Sequence, residues 1–95
     1  MAIKVIIKRQ VPEGKLPDLS HLLIQLRALA LEQPSYISGE TLRRVDQPNE
    51  LLVISTWSSL EAWKAWMNQP TRKTIQDKID LILGESTQYT VYTNI

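Results

Sequence analysis

The chain has 95 residues, with 11 Lys and Arg against 10 Asp and Glu, one His and no Cys. That length calls for one domain, residues 1–95, close to the lower limit at which a core holds without staples. Without cysteine there are no disulfides, thiolate metal sites or cysteine nucleophiles; one histidine cannot build a His-rich metal centre, and a net charge of +1 argues against a nucleic-acid partner.

The N-terminal stretch Ala2-Ile3-Lys4-Val5-Ile6-Ile7-Lys8-Arg9 is broken by lysine too soon for a secretory segment, and no apolar run has the length of a membrane span. A cytoplasmic protein with no membrane partner is expected. Residues 2–10 are β-branched and loosely alternating, which predicts a strand, and Val11-Pro12-Glu13-Gly14 supplies the turn that ends it. From Leu16, the positions Leu19, Leu22, Leu23, Leu26 and Ala30 recur at helical spacing, while His21, Gln25, Ala28 and Glu32 fall on the opposite, solvent-facing side. Pro17 suits the first turn of this helix, where a missing N–H costs nothing, and Pro34 lies beyond its last.

Two extended runs follow, Tyr36 to Val45 and Leu51 to Trp57, joined by Asp46-Gln47-Pro48-Asn49-Glu50, a loop of hairpin length. Ser58-Ser59-Leu60-Glu61 spells a capping box with Ser58 as the cap. A helix carrying Trp63, Trp66 and Met67 runs from there to about Asn68. It restarts after Pro70 with Ile75, Ile79 and Ile82 on one face and Gly84 as C-cap. Thr87 to Asn94, rich in Thr, Tyr and Val, reads as a last strand. The order strand-helix-strand-strand-helix-strand predicts an α+β, ferredoxin-like βαββαβ domain with an antiparallel sheet.

Val5-Ile6-Ile7 and Leu51-Leu52-Val53-Ile54 are apolar at consecutive positions, so both faces of those strands seek burial. Two helices cover only one face, and a second copy of the chain is the commonest cover for the other, which makes a homodimer the expected assembly. Ile24 and Leu31, off the core stripe of the first helix, point weakly the same way.

Val11-Pro12-Glu13-Gly14, the stretch Gln33-Pro34-Ser35-Tyr36-Ile37-Ser38-Gly39-Glu40, and the run Leu52 to Trp66 with its strand-ending Trp57, serine cap and helical tryptophan together resemble the antibiotic biosynthesis monooxygenase family. Ser35 stands where glycine is usual after that proline, a departure confined to a turn. The resemblance implies a dimeric α+β barrel with a small-molecule pocket between sheet and helices in each subunit. It further implies either cofactor-independent oxygenation of electron-rich aromatics and quinols, or haem binding and degradation.

In the haem-degrading branch a helical tryptophan lines the pocket, a histidine ten residues later ligates iron, and an asparagine stands in the first strand. The resemblance places Trp66, Gln76 and Ile7 at these positions. An amide is a poor iron ligand beside imidazole, so haem degradation is not expected and no cofactor is called for.

Trp57, Trp63 and Trp66 crowd into ten residues of a chain without phenylalanine. Packing is the preferred account of Trp57 and Trp63, whereas core and pocket wall stand even for Trp66. Tyr36, with Tyr89 or Tyr92, could offer a phenolic O–H to a ligand, and Arg72, near a helix start, could meet an anionic one. The candidate binding residues are therefore Trp66, Trp63, Trp57, Tyr36, Ile7 and Gln76, with no catalytic base fixed by any motif. A monooxygenase acting on a quinol or similar aromatic is the leading expectation, and a non-catalytic dimer that binds a quinone-like ligand is the alternative.

Overall fold

The computed structural model describes residues 1–95. Seven elements follow one another: β1 (Ile3–Gln10), α1 (Leu16–Leu31), β2 (Tyr36–Arg43), β3 (Glu50–Trp57), α2 (Leu60–Met67), α3 (Pro70–Leu83) and β4 (Tyr89–Thr93). The strands form one antiparallel sheet in the order β2-β3-β1-β4, the ferredoxin-like α+β arrangement. Ile3 stands opposite Trp57 and Thr93, and Ile7 opposite Val53 and Tyr89, so the two central strands share one register of inward and outward positions.

Alternation on β1 sends Ile3, Val5, Ile7 and Arg9 toward the helices. Their partners on that face of β3 are Trp57, Ser55, Val53 and Leu51. One core cluster gathers Ile3, Val5, Ala30, Trp57 and Trp66; a second gathers Val11, Leu19, Leu51, Ile79 and Leu83. On α1, Leu19 and Ala30 are buried, Leu22, Leu23 and Leu26 are half-buried, and His21, Gln25, Ala28 and Glu32 are exposed. The other face of the sheet carries Ile6, Leu52 and Ile54, half-buried, and Leu42 and Tyr92, exposed, with no element over them. No helix is long and apolar enough to cross a membrane.

Several boundaries differ from the sequence expectation, each for a visible reason. Strand β2 stops at Arg43, not Val45, because the chain turns there: the Arg44 N–H makes a last bond to the Glu50 carbonyl at 3.0 Å, the Glu50 N–H donates to the Gln47 carbonyl at 2.9 Å, and the Arg44 Nε–H holds the Asp46 carboxylate at 2.7 Å. Strand β4 begins at Tyr89, not Thr87, because the Thr87 N–H and hydroxyl donate to the Asp80 carboxylate at 3.2 and 2.7 Å. The α2 cap is Ser59, whose hydroxyl accepts from the Ala62 N–H at 3.1 Å; Ser58 instead donates its backbone N–H to the Ser35 carbonyl. Ser59→Ala is accordingly expected to lower stability by about 1 kcal/mol, and Ser58→Ala by less than about 0.5 kcal/mol, in paired urea melts.

On α3 the most buried line is Arg72, Gln76, Ile79 and Leu83, while Ile75 and Ile82 flank it half-buried. Two polar side chains thus point inward where periodicity placed isoleucine. The helix ends as expected: Gly84 sits at φ +74°, which favours glycine, and its N–H donates to the Asp80 carbonyl at 2.9 Å.

Candidate functional site

A cavity of about 480 Å³ opens between α1 and the half of the sheet formed by β2, β3 and β1. That volume lies in the range of small-molecule sites, about 300–1,000 Å³. Its aromatic wall is built by Trp57 at the end of β3, Trp66 on α2 and Tyr36 at the start of β2. Trp57 and Trp66 stack with ring centroids 5.5 Å apart, and Tyr36 meets Trp57 edge to face at 5.3 Å. Both geometries suit the ring quadrupoles and hold the wall in one shape. Gly39 leaves the space this requires, since a Cβ there would fall on the Tyr36 hydroxyl.

The floor is aliphatic at Ile7, Leu51 and Val53, and α1 closes the far side with Leu23, Leu26 and Ala30. Arg27 reaches across from α1 and donates to the Gly39 carbonyl of β2 at 3.3 Å, tying the two sides of the opening together. Ser55 accepts the Trp57 indole N–H at 3.1 Å, and the Ser20 hydroxyl is turned back onto the Leu16 carbonyl. Glu40 is the one acidic residue in the wall, and strand parity directs its side chain to the other sheet face, beside Ile54. The cavity is therefore mainly apolar and aromatic, with arginines as the only charged side chains, and no carboxylate or imidazole, presented from its helix-facing side.

Of the candidates named from sequence, Trp57, Trp66, Tyr36 and Ile7 meet at this cavity, whereas Trp63 and Gln76 lie outside its wall. Trp63 packs edge to face on Tyr89 with centroids 5.9 Å apart. The Gln76 amide is buried and donates to Asp80 and to the Thr87 hydroxyl, both at 2.8 Å. Trp66 is core and wall together: it is buried, it stacks on Trp57, and Arg72 lies over its outer side at 5.9 Å.

Arg72 is also outside the cavity, held by the Met67 carbonyl at 3.2 Å and by the Tyr89 hydroxyl. Burial raises the Tyr89 phenol above its ordinary pKa, against the opposing pull of Arg72 and Arg9. Tyr92 is exposed on the open sheet face.

Sequence reasoning missed Arg9. Only 2 % of it is exposed, it lines the cavity, and its Nε and Nη2 have no hydrogen-bond partner. Burial pushes its guanidinium below the usual value, partly offset by Tyr89 and Asp80. Strand parity alone would have found it, since Arg9 follows Ile7 on the same face.

An antiparallel sheet in the β2-β3-β1-β4 order, with helices on one face and an aromatic cavity between the layers, defines an α+β domain of the ferredoxin-like class. Within that class the chain belongs to the antibiotic biosynthesis monooxygenase family, whose model matches residues 2–78. A conserved protein from Methanosarcina mazei superposes with TM-score 0.92 at 20% identity, covering 100% of this chain and 94% of that one. SnoaB, a cofactor-independent oxygenase from Streptomyces nogalater, superposes with TM-score 0.87 at 16% identity over 99% of this chain and 93% of its own. The protein Rv0793 from Mycobacterium tuberculosis gives TM-score 0.88 at 16% identity, covering 100% and 96%. At these identities the likeness is one of fold. No curated protein matches the sequence.

Proposed function

We propose that this protein is a cofactor-independent monooxygenase that takes a quinol or other electron-rich aromatic into the cavity. The observation that carries the reading is the stacked pair Trp57 and Trp66, with Tyr36 on its edge, walling a space of about 480 Å³. Family membership and the fold shared with SnoaB support it.

An electron-rich ring anion reduces dioxygen without help. Dioxygen adds at a ring carbon that bears a hydrogen, the peroxide anion takes up one proton from the medium to give a hydroperoxide, and loss of water with that carbon's hydrogen leaves a carbonyl, so one oxygen atom enters the product and the other leaves as water. The protein then need only hold the ring flat between aromatic faces and keep bulk water from the adduct. Because the cavity presents no base, the fitting substrates are those acidic enough to enter as anions.

The working unit we propose is a cytoplasmic homodimer. Its support is the uncovered apolar band Ile6, Leu52, Ile54 and Leu42 on the open sheet face, a band that a second copy would cover under two-fold symmetry.

Oxygen consumption by the purified metal-free protein, measured across hydroquinones and anthrone-like phenols with product mass recorded, tests the reading. Uptake with one oxygen atom incorporated is expected, slowed roughly 100-fold in Trp66→Ala by loss of positioning. Saturable tryptophan quenching without uptake would transfer the assignment to a non-catalytic binder of quinone-like ligands.

A further inference from the structure

We propose that Arg9 is the anchor for a carboxylate on the ligand, so that the cavity is built for an aromatic acid in preference to a neutral ring; this rests on the cavity being the ligand site. Arg9 stands on the helix-facing side of β1, opposite Leu51, and forms part of the cavity wall while only 2 % exposed. Its Nε and Nη2 are both buried and both without a partner. Those two nitrogens share the guanidinium edge that presents two parallel N–H bonds, the geometry that grips both oxygens of a carboxylate.

A buried cation with no partner is strongly unfavourable, so a counter-anion is called for. No carboxylate of the chain bonds Arg9, although Asp80 is near enough to favour its charge. Glu50 accepts from Gln10 at 2.6 Å and from Arg44 at 3.3 Å, on the other face of the sheet. Asp80 Oδ1 receives Gln76 and Thr87. Arg27 and Arg43 in the same wall add positive potential. Arg72, buried on α3, is a second guanidinium with an unpartnered Nε; its charge acts on Arg9 unfavourably, while Tyr89 and Asp80 offset part of the cost of burial without bonding it. Both Arg9 nitrogens are closed to solvent, so the proposed anchor requires the side chain to turn toward the cavity it lines when the carboxylate enters. The ring of the acid would then lie along Trp57 and Trp66.

Calorimetric titration of the full chain with 2-naphthoate and with 2-naphthamide, its neutral counterpart, tests this. The acid is expected to bind roughly 10- to 100-fold tighter than the amide, the scale of a charge-assisted hydrogen bond. Arg9→Met should abolish that preference and, without ligand, melt at a higher temperature, because it replaces an unpaired buried charge by an apolar chain of similar length. Arg9→Lys should keep part of the preference, retaining charge without the paired N–H edge.

Equal binding of the two ligands by the native chain, binding of neither, or a preference that survives in Arg9→Met would each overturn the inference. So would a lower melting temperature of Arg9→Met with the preference unchanged, the mark of a structural arginine. Failure of oxygen uptake would sink the oxygenase reading while leaving the acid-over-amide preference standing.

Discussion

Trp57→Ala is expected to destabilise the chain by about 3–5 kcal/mol, the range for removing a large aromatic from a packed interior. Trp57 ends β3, is 2 % exposed, and is paired in register with both Ile3 and Tyr36. Its indole stacks on Trp66 at 5.5 Å, takes the edge of Tyr36 at 5.3 Å, and donates to Ser55 at 3.1 Å. Truncation leaves two aromatic neighbours facing a void continuous with the cavity. A small domain has only about 5–15 kcal/mol of total stability, so this loss is a large share of it. With each kcal/mol worth about 4–8 °C in a domain of this size, the melting temperature should fall by on the order of 15 °C or more. Calorimetry and urea denaturation check it. A loss below about 1 kcal/mol would mean that the ring serves the cavity and not the core. Trp63→Ala, at a half-buried position packed on Tyr89, should cost clearly less.

The second large effect is on assembly. Ile54→Lys should turn the proposed dimer into a folded monomer, raising the dissociation constant by at least roughly 100-fold, since burying a charge costs several kcal/mol, the Glu40 beside it offsets only part of that, and two-fold symmetry places two such charges in one interface. Ile54 lies on central strand β3, between Ile6 of β1 and Glu40 of β2 on the uncovered face. Its side chain makes no part of the cavity, so the fold and the site should both survive. Light scattering across a concentration series, with circular dichroism to verify folding, reads the result. Val45→Lys, in an exposed loop, is the control expected to change nothing. A native chain that is monomeric at every concentration would remove the dimer from the proposed function.

The order of elements was legible because its signals are local. Pro17, Pro34 and Pro70 act on the helix turns beside them, Gly84 on one left-handed residue, and the leucine stripe of α1 on a face that repeats every turn. The aromatic wall was partly legible: Trp57, Trp66, Tyr36 and Ile7 were all named from sequence, but Trp63 and Gln76 were named with them and lie elsewhere. Even the cap of α2 went to the neighbouring serine: the Ser58 backbone N–H is tied to the Ser35 carbonyl, a partner remote in the chain, and Ser59 stands at the N-cap position, where its hydroxyl accepts from the Ala62 N–H.

What the sequence determined by itself is therefore the βαββαβ order and the apolar stripe of α1. What only the tertiary structure decided is which polar side chains go inside. Periodicity counts arginine and glutamine as outward, yet Arg72 is buried against Tyr89 of β4 and Gln76 against Thr87, partners remote in the chain that the helix pattern cannot register. Arg9 is the opposite case. Its strand position sends it inward although no group of the chain meets its Nε and Nη2 there, and the cavity beside it became visible only once α1 was laid across the sheet.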